Sequence, residues 1–323
     1  MEMKAAVIEE WDRPPVYTDH PEPQASGGAV VASVEASPLT NLTRGVAMGK
    51  HYASKGFELP VIPGVDGVVR LPDGRRVYVN ILSAKGLFAE RAAVHPENAT
   101  PVPDDVDSVT AAALPNPGVS AWISLEHAAA VSPGDHVLVL GATGVTGATA
   151  VQLAKSVFGA GRVVAAGRNT ERLAWLRSVG ADEAITLDEL GDRVSALHRE
   201  RPFDAVLDYL WGPPAEATLA ALTSRGVSGY HPTRFVQVGS MAGETVGLSA
   251  AVLRSSGITM RGVGLGSAPP VVTARARTEG LPRMFAMLAA GELALPTKAV
   301  PLADVEQVWT APESSGVRIV VTP

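Results

Sequence analysis

The chain has no cysteine, which excludes disulfides and thiolate-ligated zinc sites. Basic excess is missing too. Lys and Arg number 27 against 33 Asp and Glu, for a net charge of −6, the reverse of the basic stripe that marks a nucleic-acid binder. No apolar run approaches the roughly 18 residues of a membrane span, and the opening residues carry no signal-peptide core. Internal repeats and low-complexity segments are absent. Aromatic residues are scarce, at 5%, in a chain that is 46% apolar and rich in Ala and Val, which describes a globular protein and not a disordered one. The expectation is a cytoplasmic protein of 323 residues in two domains of ordinary size, with neither a nucleic-acid nor a membrane partner.

Glycine, in contrast, is plentiful, and its placement organises the chain. The run His136-Val137-Leu138-Val139-Leu140 is of strand type, and Gly141, Gly144 and Gly147 interrupt the residues that follow. From there Ala148 to Lys155 continue at helical spacing. Strand, glycine turn and helix together form the pattern that cradles a dinucleotide pyrophosphate, because glycines let backbone N–H groups approach phosphate oxygens at a helix N-terminus. Set against G-x-G-x-x-G, the first glycine position falls on Ala142, followed by Gly144 and Gly147. The turn therefore offers Ala142, Thr143, Gly144, Val145 and Thr146 as cofactor-binding residues.

Strand and helix alternate beyond this turn. Strands are expected at 136–141, 162–166, 183–187, 203–208, 234–239 and 258–262, and helices at 147–158, 170–179, 189–200, 214–224 and 249–255. Such alternation implies an α/β fold with a doubly wound parallel sheet of Rossmann type. The first hundred residues read instead as β-rich and punctuated by Pro and Gly, with strands near 3–10, 29–36 and 87–95 and a hairpin about Asp73-Gly74. A small, partly closed barrel suits them. Residues 110–114 and 121–130 are helix-forming, with a break expected at Pro115-Asn116-Pro117-Gly118. A further helix is expected near 281–291. The strand-like segments 297–301 and 317–322 most simply return to the β-rich part.

The end of the second strand of a dinucleotide fold discriminates its cofactor: an acid there bonds the ribose 2′-hydroxyl of NAD, whereas a basic residue accommodates the 2′-phosphate of NADP. Here the strand ends Ala165-Ala166-Gly167-Arg168, with Arg172 four residues on. A guanidinium holds phosphate through paired charge-assisted hydrogen bonds, so Gly167, Arg168 and Arg172 point to NADPH. The competing reading makes both arginines solvated charges beside a Thr170 helix cap. Ligands of open α/β sheets lie at the carboxyl ends of strands, which adds Tyr209 and Leu210 after the fourth strand and Gly239 and Ser240 after the fifth. Gly239-Ser240-Met241-Ala242-Gly243 is no hydrolase elbow, since the first glycine adjoins the serine.

The chain resembles the zinc-independent medium-chain dehydrogenase/reductases of the quinone oxidoreductase-like branch. Carriers of the resemblance are Leu59-Pro60-Val61-Ile62-Pro63-Gly64-Val65-Asp66-Gly67, Gly86-Leu87-Phe88-Ala89-Glu90, the segment from Ala111 to Trp122, the glycine turn with Val151-Gln152-Leu153-Ala154-Lys155, Leu176 to Asp182, and Phe203 to Asp208. The resemblance implies a GroES-like, mostly β catalytic domain from both chain ends (1–117 and 269–323) around a Rossmann domain (118–268). It also implies nicotinamide bound between them, and a homodimer. Zinc-dependent relatives place a Cys and a Gly-His-Glu element where this chain has Ser37 and Gly64-Val65-Asp66. No metal site is therefore expected. Ser37-Pro38-Leu39-Thr40 replaces the family's Asn-Pro-x-Asp.

Hydride transfer needs positioning and a donor for the oxyanion that develops on a carbonyl or enone. Tyr52 falls where relatives place a Gly-x-Tyr, and its alternative is a packing role. Asn41 suits a bond to substrate or nicotinamide, and equally a helix cap. Asn116 lies where the family packs against nicotinamide. The expected activity is hydride transfer from NADPH to an apolar carbonyl, enone or quinone. The alternatives are an NADPH-binding sensor or structural protein with little turnover, and alcohol oxidation in the reverse direction.

Overall fold

Runs rich in Val and Ala build most of the first strands of the computed structural model, which describes residues 1–51, 54–224, 229–264, 266–311 and 316–323. These strands are β1 (Glu2–Val7), β2 (Val16–Pro21), β3 (Val30–Pro38), β4 (Asp66–Arg70), β5 (Arg76–Asn80), β6 (Arg91–Val94) and β7 (Thr100–Pro101). β1 pairs antiparallel with β2, a strand that the residue pattern did not announce. β4 and β5 form the expected hairpin. Its turn places Gly74 at φ +88°, and the Asp73 carboxylate accepts from the Arg75 N–H at 3.0 Å. The helix Asn41–Ala47 follows β3, and Thr40, not Asn41, is its cap, accepting from the Thr43 N–H at 2.9 Å.

Six short strands build the middle of the chain: β8 (His136–Leu140), β9 (Arg162–Gly167), β10 (Glu183–Thr186), β11 (Ala205–Asp208), β12 (Arg234–Gln237) and β13 (Thr259–Gly262). All pair parallel in the order β10-β9-β8-β11-β12-β13. That is the doubly wound order, with its reversal of direction between β8 and β11. β8 is buried at every position, as a strand covered on both faces must be. Leu138, Leu140, Val164, Phe203, Val206 and Phe235 centre the core beneath the crossover helices.

The last strands, β14 (Thr297–Pro301) and β15 (Arg318–Thr322), rejoin the first. β15 pairs parallel with β14 and antiparallel with β3, through Val320 opposite Pro38 and Val321 opposite Ser37. A seven-stranded sheet results, in the order β14-β15-β3-β4-β5-β7 with β6 on β3. The chain thus divides into Met1–Asn116 with Leu281–Pro323, and Pro117–Gly280. The fold is α/β, a Rossmann-type sheet unit with a GroES-like, mostly β unit from both chain ends.

Two expectations need correction. Pro115-Asn116-Pro117-Gly118 is no break: Pro115 opens the helix Pro115–Ile123, where proline's missing N–H costs nothing because a first-turn N–H has no partner in the helix. The return to the first unit comes at 281 and not 269. Residues 270–280 stay with the second unit because Arg275 pairs with Glu126 at 3.1 Å and Gly280 lies against the Trp122 indole, where a Cβ would come to 2.7 Å.

At the amino end of β8 the His136 ring is buried against Phe203, centroids 4.1 Å apart, and its Nδ1 donates to the Arg201 carbonyl at 2.9 Å. Nε2 is buried without a partner. Burial, reinforced by the Arg162 and Arg201 charges, holds this imidazole below its ordinary value of 6.5. The unfolded chain therefore takes up a proton that the folded one refuses. Its share of stability is complete above the unfolded value and is lost as pH falls from there through the folded value. In urea unfolding between pH 7.5 and 5.5, His136→Gln is expected to show a shallower loss of stability than the wild type. An unchanged pH slope would remove His136 as the cause.

Candidate functional site

The turn after β8 is shaped by backbone crowding. Gly141 has φ +76°, a conformation that a side chain resists, and a Cβ there would meet the Leu210 side chain at 3.0 Å. The Gly141 and Ala142 N–H groups both donate to the Ala166 carbonyl at 2.9 Å, which ties the turn to the end of β9. Gly144 then caps the helix Val145–Ser156 with no side-chain bond. The first N–H groups of that helix, at Val145 and Thr146, are left for a ligand. Gly147 brings the helix down onto the turn, since a Cβ would lie 2.4 Å from the Gly141 carbonyl oxygen. Ala142, at the first motif position, thus does not do the first glycine's work. Gly141 does, and the sequence reading left it out of the site.

Gly167, at the end of β9, lies so close to the buried Thr143 that a Cβ would stand 2.4 Å from its methyl group. This contact sets the end of β9 beside the glycine turn. Arg168 follows, exposed and with no ion pair to any described residue. Asn169, not Thr170, caps the next helix, Thr170–Ser178, accepting from the Arg172 N–H at 3.0 Å. Arg172 sits in the first turn of that helix, its guanidinium carbon 3.9 Å from the centre of the Trp175 ring. Its Nε and Nη2 are buried without partners, and burial lowers its affinity for the proton.

On the other side of the β8–β11 crossing, the buried Asp208 carboxylate accepts through Oδ1 from the Leu210 and Trp211 N–H groups at 2.8 and 3.0 Å. These bonds hold Trp211 at φ 57°, an uncommon conformation for a bulky residue. Burial raises the pKa of this carboxyl, and those two N–H groups oppose the shift. Tyr209 does not present its phenol to the turn: the hydroxyl is buried without a partner at bonding geometry, the nearby Ser124 hydroxyl being committed to the Ser120 carbonyl at 2.8 Å. Burial raises this phenol's pKa strongly. Gly239 passes over the Tyr209 carbonyl, where a Cβ would come to 2.7 Å, and the exposed Ser240 follows.

The second unit therefore gathers Ala142, Thr143, Gly144, Val145, Thr146, Gly167, Arg168, Arg172, Tyr209, Leu210, Gly239 and Ser240 at one end of its sheet. Two of the remaining candidates belong with the first unit: Asn41 is exposed at the start of its helix, and Asn116 is half-buried in the first turn of another. Tyr52 lies outside the described residues. In that unit the Ser37 hydroxyl donates to the Asp66 carbonyl at 2.7 Å, the Tyr78 hydroxyl donates to the Asp66 carboxylate at 3.0 Å, and Val65 is buried.

Comparison with known proteins agrees with this geometry. Residues 145–280 match the family described as zinc-binding dehydrogenase. Ser37 and Val65 lie outside that stretch, so the match speaks for the nucleotide-type unit and not for a metal. Over 99% of this chain and 100% of its own length, a probable NADPH-dependent quinone reductase, tdiC, of Emericella nidulans is 28% identical. The crystal structure of the quinone oxidoreductase of Thermus thermophilus, also solved with NADPH, superposes with a TM-score of 0.76 at 29% identity, covering 99% of this chain and 100% of that one. The chain is thus similar to quinone oxidoreductases over nearly its whole length, and to the zinc-binding dehydrogenase family over residues 145–280. The NADPH-dependent alkenal/one oxidoreductase of Arabidopsis thaliana is 32% identical over 57% of this chain, which spans 51% of that protein.

The crowding separates two glycines by experiment. Gly147→Ala is expected to destabilise by about 1–3 kcal/mol through overpacking. Gly144→Ala, whose Cβ would meet only the Gly141 carbonyl at 3.4 Å, is expected to cost well under that. Equal denaturant midpoints for the two variants would contradict the close approach.

Proposed function

We propose that the protein is an NADPH-dependent, zinc-independent reductase acting on an apolar enone, quinone or carbonyl. The observation that carries this reading is the pairing of an open glycine turn with an exposed, unpaired Arg168 at the end of β9, where no acid stands. The names of the quinone and alkenal/one reductases to which the chain is similar support the cofactor and the substrate class. NADPH, when bound, supplies the hydride. The backbone N–H groups at Val145 and Thr146 hold its diphosphate where Gly144 opens the helix, Gly167 clears the approach, and Arg168 with Arg172 balances the 2′-phosphate charge. Leu210, Gly239 and Ser240 line the turn through backbone and small side chains. Tyr209 contributes through its main chain.

On the substrate, Asn41 and Tyr52 are the candidate donors to the oxyanion that forms as hydride arrives, with Asn116 placed toward the nicotinamide. Valine at 65 offers a metal no lone pair, and Ser37 spends its hydrogen bond on Asp66, so carbonyl polarisation falls to hydrogen-bond donors. A reductase fed by NADPH works where that pool is maintained, in the cytoplasm. The chain pairs as a homodimer through β13, an edge strand bonded only to β12 among the described residues, with Thr259, Arg261 and Gly262 exposed.

Arg168→Ala is expected to weaken NADPH binding by about 10- to 100-fold, the worth of a charge-assisted contact, and to leave NADH binding nearly unchanged. Equal losses for the two would take Arg168 out of the phosphate site. NADPH consumption with a panel of enones and quinones is the activity test; binding with no turnover across the panel would favour a sensor. Light scattering on the purified protein is expected to give twice the chain mass of 33.4 kDa, and a single-chain mass would rule out the β13 pairing.

A further inference from the structure

Arg172 and Trp175 stand one turn apart on the helix Thr170–Ser178, and the guanidinium carbon lies 3.9 Å from the indole centroid. Residues three apart share a helix face, and a cation over an indole is held by the ring's negative face. Apart from the charge of neighbouring Glu171, no other described side chain holds Arg172. Its Nε and Nη2 are shut in without acceptors, while its backbone N–H is fixed by the Asn169 cap at 3.0 Å. Nη1 is left as the open edge of the group. A guanidinium stripped of water on two nitrogens and given no acceptor gains more than a solvated one from an incoming anion. Arg168, in contrast, is exposed and has nothing to orient it.

We infer that Trp175 is a positioning residue for NADPH selectivity: its indole fixes the Arg172 guanidinium as a plane beside the end of β9, so that Nη1 meets the 2′-phosphate while Arg168 closes on it from the exposed side. The inference rests on the NADPH reading above and adds to it the residue that orders the second cation. Trp175 itself makes no contact with the cofactor. Its effect passes through Arg172, and it ought therefore to be felt only by ligands that carry a 2′-phosphate.

The test compares wild type, Trp175→Leu and Trp175→Phe by titration with NADPH, NADH and adenosine 2′,5′-bisphosphate, with thermal melts alongside. Trp175→Leu is expected to weaken NADPH and the bisphosphate by about three- to tenfold and to leave NADH unchanged. Trp175→Phe, which keeps an aromatic face, is expected to recover most of the loss. A Trp175→Leu protein with an unaltered NADPH-to-NADH ratio, or with both weakened equally, overturns the inference and leaves the NADPH reading standing. A wild type that binds NADPH and NADH equally overturns both. Should Trp175→Leu fail to fold, Trp175→Met and Trp175→Gln, which likewise lack an aromatic face, carry the same comparison, and an unaltered NADPH-to-NADH ratio in them overturns the proposal.

Discussion

The close approach of backbone to backbone around Gly141 is the constraint on which the rest of the nucleotide-type unit depends. Three separate segments come within Cβ distance of one another there. The helix after β8 lies on the Gly141 carbonyl at Gly147, Leu210 fills the space over Gly141, and Thr143 presses against Gly167. Each contact exists only because a side chain is missing on one partner. Together they draw the ends of β8, β9 and β11 to one point, the place in a doubly wound sheet where the strand order reverses and a crevice opens. A turn that is rigid before ligand arrives keeps its N–H groups aimed without further ordering, and ordering on binding is among the larger costs of association.

The two ends of the sheet are finished in opposite ways. At the amino end most groups are paired, His136 Nε2 being an exception: Asp204 accepts from the His136 N–H at 2.7 Å and lies 3.0 Å from His231, and Arg234 meets Asp135 at 2.7 Å. At the carboxyl end they are left open: Arg168 is unpaired, Arg172 has two unpartnered nitrogens, and Asp208 keeps Oδ2 bare. An unsatisfied buried polar group costs stability.

Much of this was legible in the sequence because the periodicities are strong. All six strands of the parallel sheet lie at their expected positions, the central ones because buried parallel strands read as continuous apolar runs. The glycine turn was legible for the same local reason. What failed depended on context. Pro115 looks like a breaker until it is known to sit in a first turn. Asn169 and Thr170 are both good caps, and sequence alone does not choose between them. Ala142 satisfied a pattern whose geometric work belongs to its neighbour. The segment 270–280 was assigned to the wrong unit because its ties, Arg275 with Glu126 and Gly280 with Trp122, join residues far apart in the chain. The two arginines looked alike as letters. Only the indole beneath Arg172 sets them apart.

The pairing of β15 with β3 has a consequence for how the protein is made. Ser37 and Pro38 leave the ribosome well before their partners Val320 and Val321, which lie beyond the whole second unit. The first unit's sheet therefore waits, one strand pair short, through translation of the entire second unit, which occupies residues 117–280. Chain units generally fold as they emerge, and sheets closed by distant pairs are slow. The exposed flank of β3 is thus a template for wrong strands during that interval. Buried Pro38 at its end, with no N–H to offer, limits what can add there.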